Sequence, residues 1–229
     1  MRTGPYGWAV RIEAVVFDFD GLMLDTEVPV YAAWCAAFES YGGTPPTLEE
    51  WGAIIGTDSD DRDLLDLLVA RAARPVDVDK MHAARRAHRD ALLAAEQVLP
   101  GVMAWINEAA AAGLGIAIAS SSPDDWVLGH LERLGLRGHF DHVMCAGDIR
   151  RGKPAPDTYL AACAALGVDA QRALAVEDSA HGVAAAKSAG LLCVTVPNSL
   201  TKGLDLSAAD LRLDSLADCS LRDAVARIS

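Results

Sequence analysis

Five short apolar runs set the rhythm of this chain: Ala14-Val15-Val16-Phe17, Leu114–Ala119, His142-Val143-Met144-Cys145, Ala173–Val176 and Leu191–Val196. None alternates between apolar and polar positions, so each reads as a strand covered on both faces, as in a parallel sheet. The segments between them carry helix punctuation. Ser122-Pro123-Asp124-Asp125 offers an N-cap serine, proline at the first helical position and acids in the first turn, and Gly135 closes that helix. Pro156 opens a second helix that ends at Gly167, and Ser179 opens a third that ends at Gly190. Strand and helix in alternation predict an α/β fold with a doubly wound, Rossmann-like parallel sheet.

One stretch breaks the rhythm. Between Thr26 and Val98 lie about seventy residues with no convincing strand. Val30, Ala33, Trp34, Ala37 and Phe38 fall on one helical face, and Leu64, Leu67, Leu68 and Ala72 on another. A long helical pattern runs from Asp77 to Val98 and stops at Pro100-Gly101. The expected organisation is a core made of residues 1–25 and 99–229, with an all-helical cap, residues 26–98, inserted after the first strand. Trp34, on the apolar stripe, reads as cap core.

Composition narrows the function classes. With 52% hydrophobic residues there is ample material for a core, yet no apolar run reaches the roughly 18–20 residues of a membrane span. Met1–Val10 lacks the long apolar stretch of a secretory signal. Cys35, Cys145, Cys163, Cys193 and Cys219 are odd in number and show no CxxC spacing, so they read as free thiols in a reducing, cytoplasmic setting. The formal net charge is −12, and the densest basic segment is Ala83–Arg89. Such a surface does not attract nucleic acid or anionic lipid. An anionic ligand would need a local cation to bring it in.

That cation is suggested at the strand ends. Ligands in open parallel sheets bind beyond the carboxyl ends of the strands. Those ends carry Asp18-Phe19-Asp20, Ser120, Lys153 in Gly152-Lys153-Pro154, and Glu177-Asp178. An acid after a strand is commonly a solvated loop residue, but four strands delivering polar groups to one edge is not a pattern of loops. Two unit charges 4 Å apart repel by about 4 kcal/mol at an effective dielectric of 20, so Asp18, Asp20 and Asp178 would converge only around a hard cation. Oxygen ligands of this kind suit Mg²⁺. Lys153, the Ser120 hydroxyl and backbone N–H groups near Phe19 and Asp20 could then hold a phosphate.

Asp18-Phe19-Asp20-Gly21-Leu22, Ser120, Lys153 and Glu177-Asp178, in this order, resemble the four signatures of the haloacid dehalogenase-like hydrolases. The longer strings Asp18–Glu27, Gly152–Pro156 and Glu177–Gly182 are similar to the branch with β-phosphoglucomutase and small phosphosugar phosphatases. The resemblance spans about Ile12 to Val196. It implies that Asp18 is a nucleophile forming an aspartyl-phosphate, and that Asp20 is first general acid, then general base. It implies that Asp18, the Asp20 carbonyl and Asp178 ligate Mg²⁺, with Glu177 nearby or coordinating. It also implies that Ser120 and Lys153 hold phosphoryl oxygens, and that a small phosphorylated metabolite is the substrate. In Gly56-Thr57-Asp58-Ser59, Thr57 and Asp58 resemble the cap loop that reads the leaving group.

The remaining polar candidates have plainer readings. His82 and His88 are expected on the cap surface, His181 packed or solvated at a helix start, and Ser121 and Ser122 as backbone-capping hydroxyls. A receiver domain shares the acidic cluster but not the seventy-residue insert. A dehalogenase needs neither metal nor a second acid. A catalytically silent binding protein on the same fold would not need every one of these residues. Within the branch, a mutase must hold its acid-base aspartate back from water. The family's histidine for that purpose stands twelve positions after the nucleophile, where this chain has Val30; Asp58-Ser59 and Pro123 replace expected basic residues. These departures predict hydrolysis rather than transfer, a cap without cations, and a substrate with one phosphate.

Overall fold

The computed structural model describes residues 12–54 and 60–228. Six parallel strands form one sheet: β1 Ala14–Phe17, β2 Gly115–Ala119, β3 His142–Met144, β4 Ala173–Glu177, β5 Leu192–Thr195 and β6 Leu211–Arg212. Their order is β3-β2-β1-β4-β5-β6, the Rossmann order, with β1 at its middle. The five apolar runs are all strands; β6, only two residues long, has no apolar run to mark it.

The two faces of the sheet differ in size of side chain, and the difference sets how closely helices approach. Val15, Phe17, Ile116, Ile118, Leu174 and Val176 point to one face and pack on α5 (Val102–Ala111), α6 (Asp124–Arg133) and α9 (Leu221–Arg227). The other face shows Ala14, Val16, Ala117, Ala119, Ala173 and Ala175 to α7 (Asp157–Leu166) and α8 (Ala180–Ala189). Small residues there leave room for the Tyr159 ring to lie buried over the sheet near its active edge.

The insert is helical: α1 Glu27–Ser40, α2 Leu48–Ile54, α3 Asp60–Arg71 and α4 Val78–Leu93. Trp34, Phe38, Trp51, Leu64, Leu68 and Met81 form its own buried cluster. The chain leaves and returns side by side, since Leu24 bridges Val98 and the Leu99 N–H donates to the Met23 carbonyl at 2.9 Å.

Two boundaries differ from the sequence reading. Helix α4 ends at Leu93, not Val98, because Val98 and Leu99 pair in extended form with the outgoing strand. The cap of α6 is Pro123, not Ser122, and the helix starts at Asp124. The Ser122 hydroxyl is committed elsewhere, to Asp20.

Candidate active site

Asp18 is the first residue beyond β1, and its N–H donates to the Val176 carbonyl of β4 at 2.9 Å, so the sheet itself fixes its backbone. Lys153 comes from the loop after β3, through a cis Lys153–Pro154 bond, and its side chain is buried. Its ammonium donates to the Asp18 carboxylate and to Glu177 Oε1 at 2.6 Å. The backbone N–H of Lys153 donates to the Ser121 hydroxyl, which ties this loop to the end of β2.

Glu177, at the end of β4, is fully buried and saturated. Oε1 accepts from Lys153 and from the Tyr159 hydroxyl at 2.7 Å; Oε2 accepts from the N–H groups of Asp178 and Ser179 and from the Ser179 hydroxyl. Asp178 is held by the Asn198 amide at 2.7 Å. Gly21 (φ +77°) lies against Asp178, where a Cβ would come within 2.4 Å of Oδ2. The loop after β1 therefore closes on Asp178 only because no side chain stands there.

Three carboxylates, Asp18, Glu177 and Asp178, bring oxygens within 4.8 Å of one another, with one lysine among them. The charge is not balanced from within. Burial pushes the Asp18 carboxyl up to about 8, with Glu177 and Asp20 adding to the effect against the pull of Lys153. Burial, then Asp18 and Glu177, holds Asp178 well above the carboxylate range. Against the cost of its own burial, Lys153 is held above the ordinary lysine range by Asp18 and Glu177. A buried, oxygen-only cluster with surplus negative charge fits a hard divalent cation.

Asp20 is placed differently. Oδ1 accepts from the Trp126 indole N–H at 2.8 Å, and Oδ2 from the hydroxyls of Ser122 at 2.6 Å and Ser120 at 3.4 Å. The expectation that nothing holds this aspartate back is thus not met: the holding groups come from the β2–α6 segment, not from position 30. Asp18, Asp20, Ser120, Lys153 and Asp178 open on one cavity of about 530 Å³, whose other wall is Trp34, Trp51, Asp61, Leu64, Arg85 and Arg89 of the insert.

The matching family model, haloacid dehalogenase-like hydrolase, covers residues 12–190. The chain belongs to the haloacid dehalogenase-like hydrolases. Within that family it is a phosphohydrolase, and relatives bear phosphatase names. YhcW of Bacillus subtilis (strain 168) is 40% identical over 210 residues, covering 92% of this chain and 94% of that one. The phosphorylated carbohydrates phosphatase of Thermotoga maritima is 32% identical over 183 residues, covering 79% and 82%. Among solved structures, CbbY from Rhodobacter sphaeroides in complex with phosphate has a TM-score of 0.74 at 29% identity, covering 90% of this chain and 96% of that chain. A mutant of CbbY in complex with xylulose-(1,5)bisphosphate matches to the same degree.

The family's signature residues are therefore gathered at one edge. Thr57 and Asp58 lie outside the described residues. His181 sits in the first turn of α8 and is not part of the cavity wall. The expected cation-free cap is contradicted: Arg85 and Arg89 reach the cavity from helix α4, not from the loop at Asp58. Both have carboxylate partners, Asp61 for Arg85 and Asp90 for Arg89. Sequence reasoning missed Tyr159, Trp126 and Asn198. Asn198 follows β5, so the strand-end rule that found the acids could have found it too. No helix among the described residues is long and apolar enough to cross a membrane.

Proposed function

We propose that this enzyme is a Mg²⁺-dependent phosphatase of a small phosphate monoester, with a phosphosugar-like leaving group and Asp18 as nucleophile. The buried Asp18–Lys153–Glu177 chain is the observation that carries the reading. It sets Asp18 at the cavity wall beside an ammonium that is fixed by Glu177, itself held by the Tyr159 hydroxyl, and that neutralises charge on both nucleophile and incoming phosphoryl group. Ser120 and Lys153 bind phosphoryl oxygens, and Asp20 protonates the leaving oxygen before serving as base for water. Asp18, Asp178 and the Asp20 carbonyl would hold Mg²⁺. When bound, the ion would neutralise phosphoryl charge and relieve the repulsion among the carboxylates. Glu177, with its oxygens already filled by five donors, positions Lys153 instead of ligating.

The cap, residues 26–98, supplies the clue to the leaving group. Trp34 Nε1, Trp51 Nε1, Arg85 Nε and Thr26 Oγ1 are buried without a hydrogen-bond partner, and all four residues line the cavity. An unmet buried donor costs about 1–3 kcal/mol, which an oxygen-rich ligand would recover. A sugar offers acceptors to these groups.

The test is phosphate release from an aryl phosphate and from a panel of phosphorylated sugars, nucleotides and glycolytic acids. Activity should need Mg²⁺, vanish with EDTA and be abolished in Asp18→Asn. A tenth of wild-type kcat surviving that substitution in single turnover would exclude the covalent route. Arg85, Arg89 and the held Asp20 favour a second reading, phosphotransfer on a bisphosphate. Offering β-glucose 1-phosphate with glucose 1,6-bisphosphate separates the two, since glucose 6-phosphate formed faster than free phosphate would establish the transferase.

A further inference from the structure

The turn that follows β5 touches the carboxylate cluster on one side and the cap on the other. It is bound first to itself. Asn198 Oδ1 accepts from the N–H groups of Leu200 at 2.9 Å and Thr201 at 3.1 Å, and the Thr201 hydroxyl accepts from the Asn198 N–H at 3.0 Å. The N–H of Lys202 donates to the Asn198 carbonyl, and that of Leu204 to the Thr201 carbonyl. Arg212 of β6 fastens the outer end by donating to the Lys202 carbonyl at 3.0 Å. Internal bonds this dense make residues 198–204 one stiff unit.

Each edge of that unit has a different neighbour. With two N–H groups on Oδ1, the Asn198 amide has only its NH₂ to offer Asp178, and Nδ2 donates to Asp178 Oδ2 at 2.7 Å. A Cβ at Gly21 would lie 2.4 Å from that oxygen and 2.7 Å from that nitrogen, so the loop after β1 closes over the pair. On the other edge, Leu200 packs against the buried cluster of the cap. A Leu204 methyl lies close against Gly52 of α2, where a Cβ would come within 2.8 Å of it. Thr201, buried, lines the same cavity as Asp178.

We infer that Asn198 is a positioning residue for the divalent cation, and that residues 198–204 make the cation's affinity depend on the cap. The inference rests on the proposed reading in which Asp178 ligates Mg²⁺. A ligating carboxylate needs a fixed orientation, and its outer hydrogen-bond partner supplies it. Here that partner belongs to a turn in which Leu200 cannot shift without shifting Asn198. Packing of the cap on Leu200 and Leu204 therefore holds the amide on Asp178, and loss of that packing lets the amide swing away. Coupling of this kind is reciprocal: a cation on Asp178 favours the cap seated on this turn, and the seated cap favours the cation.

Titration calorimetry of the full chain with Mg²⁺ alone, no phosphate ester being present, reads this without turnover. Asn198→Ser keeps an oxygen acceptor for the turn but is too short to donate to Asp178, and its Mg²⁺ dissociation constant should rise about ten- to a hundredfold. Leu200→Ala removes a contact with the cap and should weaken Mg²⁺ about threefold or more, whereas Leu200→Met should restore wild-type affinity. Combined with Asn198→Ser, Leu200→Ala should cost nothing further, because Leu200 acts only through the amide. A change that merely loosened the fold would lower Tm without producing this pattern. Wild-type affinity in Asn198→Ser overturns the positioning role. An unchanged Leu200→Ala, or losses that multiply in the double variant, overturns the link to the cap. Should the wild type itself bind no Mg²⁺, the metal-dependent reading falls and takes the inference with it; Mg²⁺ bound equally by wild type and Asn198→Ser sinks the inference alone.

Discussion

Gly182→Ala pits helix propensity against the site in one methyl group. Gly182 lies in the first turn of α8, where alanine would by itself favour the helix by about 1 kcal/mol. A Cβ built there, however, falls 1.9–2.0 Å from the Glu177 carboxylate carbon and both oxygens. Ordinary contact begins near 3.4 Å, so the carboxylate must retreat by more than an ångström. Its bonds to Lys153 at 2.6 Å and Tyr159 at 2.7 Å cannot stretch that far. Loss of two bonds to a charged group, at about 1.5–3 kcal/mol each, outweighs the helical gain and leaves a net cost of about 2–5 kcal/mol. For a chain of this size that lowers Tm by roughly 5–15 °C. Lys153 loses its anchor at the same time, so kcat on an aryl phosphate should fall at least about a hundredfold in the fraction that remains folded. Thermal unfolding with single-turnover phosphate release checks both. A variant with raised Tm and wild-type kcat would show that Glu177 does not set the position of Lys153.

Two further outcomes follow from the same geometry. In metal-free protein the raised Asp18 and Asp178 carboxyls bind protons that the unfolded chain, with ordinary carboxyls, releases. Stability then falls as pH rises from about 4 toward about 8, and Mg²⁺ should raise Tm more at about pH 8 than at about pH 6; an equal or opposite change would remove the surplus-charge argument. Gly101→Ala should act on stability alone: Gly101 has φ +87°, and a Cβ would meet the backbone of Leu216 and Ala217 at 2.2 Å. A loss of about 2–5 kcal/mol with kcat per folded molecule unchanged is expected by calorimetry and active-site titration, and a coupled fall in kcat would contradict the separation.

The sheet was legible in the sequence because its strands are buried on both faces, which forces apolar runs such as Ala14–Phe17 and Ala173–Val176 that nothing else in a chain this size requires. The acids were legible because each directly follows such a run. Asp20's actual environment was not. Its partners Ser122 and Trp126 are separated from it by a hundred residues and by an entire helical insert, and a tryptophan three residues into a helix carries no local sign that its N–H faces an aspartate. Ser122 looked like an N-cap because serine before proline and two acids usually is one; a carboxylate acceptor at 2.6 Å outcompetes the helix terminus for that hydroxyl. Arg85 and Arg89 were visible as the densest basic segment but were given no place at the site, since only the tertiary placement of α4 turns that face to the cavity.

The site is expensive to the fold that carries it. Asp18, Glu177, Asp178 and Lys153 are all at most 6% exposed, three carboxyls against one ammonium. Such a group is costly to desolvate and is not a source of stability even when paired. What sustains it is the sheet: β1 and β4 lie side by side at the middle, and their carboxyl ends carry Asp18 and Glu177 on backbone fixed on both sides by hydrogen-bonded neighbours. The alanine face beneath them leaves space for Tyr159, whose hydroxyl replaces the water Glu177 has lost. Asp20, by contrast, sits two residues farther out in a turn, is not fully buried, and is kept in place by side chains rather than by the sheet. That division matches what the two acids must do. A nucleophile acts from one fixed direction, in line with the bond it breaks, whereas an acid that becomes a base must be able to leave its resting bonds and return to them.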